Sequence, residues 1–140
     1  MEKIMTTKEL EQYIKNIVYN KLGNFDIPVK FENGNANSID AVYVFSDGKN
    51  YHFFSPERGA IRIDIITNRI ADIIYLAVGQ VITKIASNYE LKNREPNKDF
   101  RRVWFAKEIE LWALFGEDFH KRKKREIENT LINNPYVDRI

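Results

Sequence analysis

The residue types that most often do chemistry are sparse in this chain, and each grouping of them has a structural reading beside the chemical one. There are two histidines, His52 and His120, and no cysteine. His52 sits between Tyr51 and Phe53 in an alternating run, so it faces one side of a strand. With no triad pattern and no set of metal ligands around it, it reads as a half-buried structural histidine. Asp47-x-Lys49 and Glu90-x-Lys92 have the local spacing of a metal-dependent nuclease, in which acids hold a divalent ion and a lysine assists at the phosphate. The first straddles a predicted hairpin turn and the second a predicted helix end, and turn and helix-end chemistry accounts for both. Lys121-Arg122-Lys123-Lys124-Arg125 would suit phosphate contacts, yet five consecutive helical residues point all round the axis. Glu126 follows Arg122, and Glu128 follows Lys124, at the spacing of helical ion pairs, so a solvated face is the preferred reading.

Two groupings are more informative. Glu57-Arg58-Gly59 makes a turn after a strand, and Asp99-x-Arg101-Arg102 opens a helix. Arg102 falls on the Ile109 side of that helix, near Ala106 and Ala113. An arginine there is either partly buried in an ion pair, with Glu57 as one acidic mate, or exposed for a partner; both roles stay open. The aromatic residues Phe54, Tyr75, Trp104 and Trp112 read first as core, although an exposed subset would serve as binding hot spots.

Around these groupings the elements are well marked. Thr6-x-x-Glu9 has capping-box spacing, and Leu10, Ile14, Ile17 and Val18 form one apolar face, predicting a helix over 7–22 that ends at Gly23. Ile27, Val29 and Phe31 alternate with polar residues and Pro28, predicting an edge strand. Ala41 to Phe45 is apolar on both faces, which suits a central strand. Asp47-Gly48 predicts a tight hairpin, Tyr51 to Ser55 a returning strand, and Ile61, Ile63 and Ile65 a further one after a Pro56–Gly59 turn. From Thr67 the period becomes helical. Apolar residues from Ile70 to Ile85 cover most of a circumference, leaving a stripe of Asp72, Gly79, Thr83 and Glu90. A second largely apolar helix runs from Asp99 to about Phe115, and a last one from about Glu117 to Asn133 before Asn134-Pro135. The expectation is one α+β domain over 1–140: an N-terminal helix, an antiparallel three- to four-stranded sheet, and three C-terminal helices packed as a layer.

Composition limits what such a domain does. A chain of 140 residues buries about 68% of its unfolded surface without disulfides or metals. No cysteine fits a reducing compartment, and Met1 to Thr7 lacks a signal-peptide layout, so the cytoplasm is expected. The run Ile70–Ile82, broken by Asp72, Gly79 and Gln80, falls short of the ~18 apolar residues of a membrane span, so no membrane is expected. The net charge is +2, with 8 Lys/Arg against 9 Asp/Glu in residues 1–66 and 14 against 11 in 67–140. That balance is too slight to argue for nucleic acid. No cofactor, metal or catalytic residue is expected.

Tyr51-His52-Phe53-Phe54-x-x-Glu57-Arg58-Gly59, then Ala86-Ser87-Asn88-Tyr89-Glu90-Leu91-Lys92-Asn93-Arg94, Asp99-Phe100-Arg101-Arg102-x-x-Phe105 and Asn134-Pro135-Tyr136 follow one another in an order that resembles the immunity protein 63 family of bacterial polymorphic toxin systems. The resemblance spans roughly residues 40–136. It implies a non-enzymatic protein that neutralises a cognate toxin by stoichiometric binding. The positions it carries over are Glu57, Arg58, Gly59, Asp99, Arg101 and Arg102, as partner contacts or as residues that hold the fold. A nucleic-acid-binding module using the basic final helix is the alternative.

Overall fold

The structure is a computed structural model and describes residues 3–139. Its elements, in order, are α1 (Thr7–Leu22), β1 (Tyr43–Ser46), β2 (Tyr51–Glu57), β3 (Ala60–Thr67), α2 (Ile70–Lys92), α3 (Arg101–Ala113) and α4 (Glu117–Asn133). This is the expected α+β arrangement, with three strands in the sheet. The chain divides into two compact units, residues 1–81 and 82–140, with the division inside α2.

In the first unit α1 begins at the capping box read from the sequence. Thr6 Oγ1 accepts from Glu9 N–H at 3.1 Å, and Glu9 Oε1 accepts from Thr6 N–H at 2.9 Å. These two bonds satisfy donors that the helix start leaves orphaned. Leu10, Ile14 and Val18 are buried. Thr7 Oγ1 accepts from Ser46 N–H at 3.0 Å and the Tyr51 hydroxyl accepts from Met5 N–H at 2.9 Å, tying the helix to the sheet.

The sheet is antiparallel with the order β1-β2-β3. Tyr43 pairs with Phe54 and Phe45 with His52 on one face, where Tyr43, Phe45, Phe54 and Ala41 pack together. Val44 pairs with Phe53 on the other face, and both are buried. The apolar run at 41–45 is thus covered on both faces, as expected, but β2 and not β1 is the central strand. The alternation at 27–31 forms no strand either: Lys30 alone bridges to Tyr43, in parallel. Pro28 explains the difference. Its fixed φ suits the centre of a three-residue turn, and Val29 N–H donates to Ile27 O at 2.7 Å, so the chain curls before it can pair.

β2 also runs further than expected, through Pro56 to Glu57, leaving Arg58-Gly59 as a two-residue turn. A proline inside a central strand needs a break in the ladder. The register shifts between Ser55 and Pro56: Ser55 faces Ile63, while Pro56 faces Ile61. The simple alternation of Ile61, Ile63 and Ile65 is broken there, and Arg62 has no opposite number in β2.

α2 is longer than its apolar run suggested, and by length and composition it could cross a membrane. Along it Ile73, Ala77, Val78, Ile82 and Ala86 are wholly buried.

In the second unit α3 packs against α4. Trp112 is buried, with Phe119 stacked at 5.3 Å and Phe115 tilted against it at 5.4 Å. The expected apolar coat of α3 is thinner than its sequence implied: its buried residues are Glu108 and Trp112, and Phe100 and Leu114, which flank it, are half exposed. Glu108 accepts from Thr83 Oγ1 at 2.8 Å and pairs with Lys123 at 3.6 Å. Thr83, read as part of a polar stripe, therefore serves a buried acid.

Candidate partner-binding surface

The turn after β2 is built from two residues in left-handed backbone, Arg58 at φ 50° and Gly59 at φ 78°. Glycine tolerates this freely; arginine does not, since its Cβ crowds the following carbonyl. Arg58 is held there by its own N–H, which donates to Asp40 Oδ1 at 3.1 Å. Its side chain is exposed at the tip of the hairpin. Glu57, also exposed, makes only a loose ion pair with Arg62, at 3.9 Å. Glu57 and Arg62 line an open groove of about 630 Å³ together with Lys30, Asp40, Pro28 and Val42. Charges of both signs therefore line the groove beside the strained turn.

The other motif is consumed by the fold. Asp99 Oδ1 accepts from Arg101 N–H at 2.9 Å, doing the capping work that Phe100, the residue before the helix, cannot do. Arg101 grips the same carboxylate through Nε and Nη2, the latter at 2.8 Å, and donates to the carbonyls of Asn134 and Pro135, each at 2.9 Å. Asp99 Oδ2 also accepts from Val137 N–H at 2.9 Å. The Arg101 guanidinium, followed by the Val137 amide, holds the Asp99 carboxyl well below the usual carboxylate range. Arg102 pairs with Asp138, Nε to Oδ1 at 2.9 Å and Nη2 to Oδ2 at 3.0 Å, and lies 4.3 Å above the Tyr136 ring. Asp138 in turn accepts from Asp99 N–H at 2.8 Å, and the Arg102 guanidinium keeps its carboxyl below the ordinary value. The result is a clasp between the start of α3 and the segment 134–138.

Of the roles left open for Arg102 the ion pair is the one seen, and its acid is Asp138, where the sequence had offered Glu57 as one mate. The more enclosed arginine is Arg101, with 18% of its side chain exposed against 44% for Arg102. Asp138 was not singled out in the sequence, although Asn134-Pro135-Tyr136 just before it was. The strings 99–102 and 134–136 belong to one construction. Glu90 and Arg94, from the string before them, form their own bidentate pair at 2.9 and 2.8 Å.

The remaining candidates have structural partners. His52 Nε2 lies 2.7 Å from Asp47 Oδ2, and its ring stacks on Phe45 at 4.5 Å. Asp47 also accepts from the Lys49 and Asn50 amides at 2.8 Å each, and His52 with these amides lowers its pKa to about 2. In the basic run Lys121 pairs with Glu117, and Lys123 is largely enclosed between Glu108 and Glu126. Among the described residues no group of three or more His, Cys, Asp or Glu is placed to hold a metal ion.

The surface that the sequence reading missed is β3. Ile61, Ile65 and Ile66 are 58%, 41% and 53% exposed. Alternation with Arg62 and Asp64 had suggested a further strand; only its place at the end of the meander could have signalled an open edge.

Comparison with known proteins returns one kind of match. The family model for Immunity protein 63 matches residues 47–129, which include the Arg58-Gly59 hairpin, all of α2 and α3, and most of α4. Neither curated proteins nor solved structures give a match. Since the matched stretch is more than half of the chain, the protein belongs to the Immunity protein 63 family.

Proposed function

We propose that this protein neutralises a cognate bacterial toxin by binding it directly, one copy to one toxin, in the cytoplasm and without catalysis or a cofactor. Family membership supports the immunity role in general terms. We place the contact surface at the Glu57–Gly59 turn and the groove beside it. The observation that carries this choice is Arg58, a charged residue kept in strained backbone at an exposed tip. Such strain persists only where the surroundings enforce it, and it is commonest at functional positions. Glu57, Arg62, Lys30 and Asp40 offer both signs of charge around the groove, which would orient one partner and reject others. Asp99 and Arg101 hold the scaffold in this reading, and Arg102 contributes at most its exposed edge. Nucleic-acid binding by α4 has less support, because Lys121 and Lys123 are engaged in ion pairs.

Isothermal titration of the protein with the toxin domain encoded beside it tests the proposal. The expected result is a one-to-one complex that Arg58→Glu weakens by at least about tenfold, with an unchanged melting temperature. Two folded components that give no heat on mixing and no complex would overturn it.

A further inference from the structure

The corner between α2 and α3 holds two clefts, both within the second compact unit. One is a slot of about 190 Å³ walled by Leu91, Phe100 and Trp104, with the Phe100 and Trp104 rings stacked at 5.8 Å. The other is an open trough of about 570 Å³ along residues 94–101, closed on one side by Val137 and Arg139. Arg94 and Phe100 line both, so the two meet there. Leu91 and Phe100 are 62% and 48% exposed. Apolar side chains gathered in a cleft and rimmed by charge form the surface of an interaction site.

Arg94, where the clefts meet, is held ready for a ligand. Glu90, only 3% exposed, accepts from its Nε at 2.9 Å and from its Nη2 at 2.8 Å, so a buried acid fixes an arginine whose side chain is 57% exposed. Nη1 has no partner among the described residues. An arginine fixed in advance loses little freedom on binding, and its planar donors suit a carboxylate. Charge selects the occupant. Glu90 is answered by Arg94, Asp99 by Arg101 and Asp138 by Arg102. The trough then keeps Lys98 and Arg139 against Glu95 alone, and Lys98 reaches Asp138 only at 4.0 Å. This positive surplus attracts an acidic ligand. A slot for one apolar side chain beside a cationic trough fits an extended segment that carries such a residue among acids.

We propose that the α2–α3 corner binds an acidic peptide segment of a partner protein, with one aromatic side chain in the slot of Leu91, Phe100 and Trp104 and its carboxylates on Arg94, Lys98 and Arg139. The site is additional to the Glu57–Gly59 surface and does not depend on what binds there.

Nuclear magnetic resonance titration of the full chain with a short capped peptide of glutamates around one phenylalanine tests this. The chain has two tryptophans, whose indole N–H signals are separate reporters: Trp104 in the wall of the slot and Trp112 in the core. The expected result is saturable shifts at Trp104 and along residues 94–101, with Trp112 unmoved. Lys98→Glu and Arg139→Glu, both at exposed positions, should keep the fold and each weaken binding at least about threefold. Glutamine for every glutamate of the peptide, or serine for its phenylalanine, should weaken binding at least about tenfold. A peptide that moves neither Trp104 nor residues 94–101 at millimolar concentration overturns the proposal. So does a neutral or a serine peptide that binds as tightly as the first, or folded charge-reversal variants that bind it as wild type does. Should a variant not fold, the three peptides on wild type still decide. No toxin enters this assay, so its outcome is separate from that of the calorimetric titration.

Discussion

At the scale of one residue, the contact proposed for Arg58 sets recognition against stability. Holding a non-glycine residue at φ 50° costs ~1–2 kcal/mol. Arg58→Gly should therefore raise stability by about 1 kcal/mol in chemical denaturation while weakening toxin binding; a destabilised variant would show that the turn is not strained. The two clasp arginines separate in the same manner. Arg101→Ala strands Asp99 and two carbonyls in a largely enclosed site, so the melting temperature should fall by many degrees. Arg102→Ala removes a half-exposed pair and should lower it by far less. Equal losses would contradict this division of labour. Asp47 provides a pH test. Its folded pKa, about 2, lies below the ordinary value, so its charge stabilises the fold above pH ~4, and that contribution fades as pH falls towards 2. The difference in melting temperature between wild type and Asp47→Ala should be largest near neutrality and shrink across that window.

Elements were read from the sequence with uneven success, and the failures have causes. α1 was legible because Thr6, Glu9 and Gly23 act locally and need no tertiary partner. The Asp47-Gly48 hairpin was legible for the same reason, with Gly48 at φ 89°. The segment 27–31 misled because alternation describes a strand only if the backbone can pair, and Pro28 turns the chain instead. β2 was cut short because a proline normally ends a central strand; the register shift that accommodates Pro56 leaves no mark in composition. Glu108 stood in no motif, yet it is 3% exposed and answers Thr83 and Lys123 from two other helices. Removing one partner of such a buried pair costs ~3–5 kcal/mol. Glu108→Ala is accordingly expected to destabilise the protein by at least about 3 kcal/mol, measured by urea unfolding, whereas a loss below about 1 kcal/mol would place that acid among ordinary surface charges.

For the molecule as a whole, the order of short strings along the chain carried the family, and the family match over residues 47–129 agrees with it. Their roles were not legible, because a string of residues gives types and order and not what they touch. Asp99, Arg101 and Asn134 to Tyr136 prove to be parts of one clasp, which accounts for their types without a toxin contact. Glu57 and Arg58 stay at the surface, beside a groove whose other walls, Lys30, Asp40 and Arg62, stood in no motif. In the function proposed above, a stable scaffold presents a complementary face to the toxin, and affinity rests on a few anchors there. The measurement that tests this most directly is growth of cells co-expressing the neighbouring toxin domain with wild-type protein, with Arg58→Glu, or with an empty vector, followed by affinity purification of the toxin. The account predicts rescue and co-purification with wild type, and loss of both with a folded Arg58→Glu protein. Persistent toxicity with no complex, in cells where the wild-type protein is verified as folded, would contradict it.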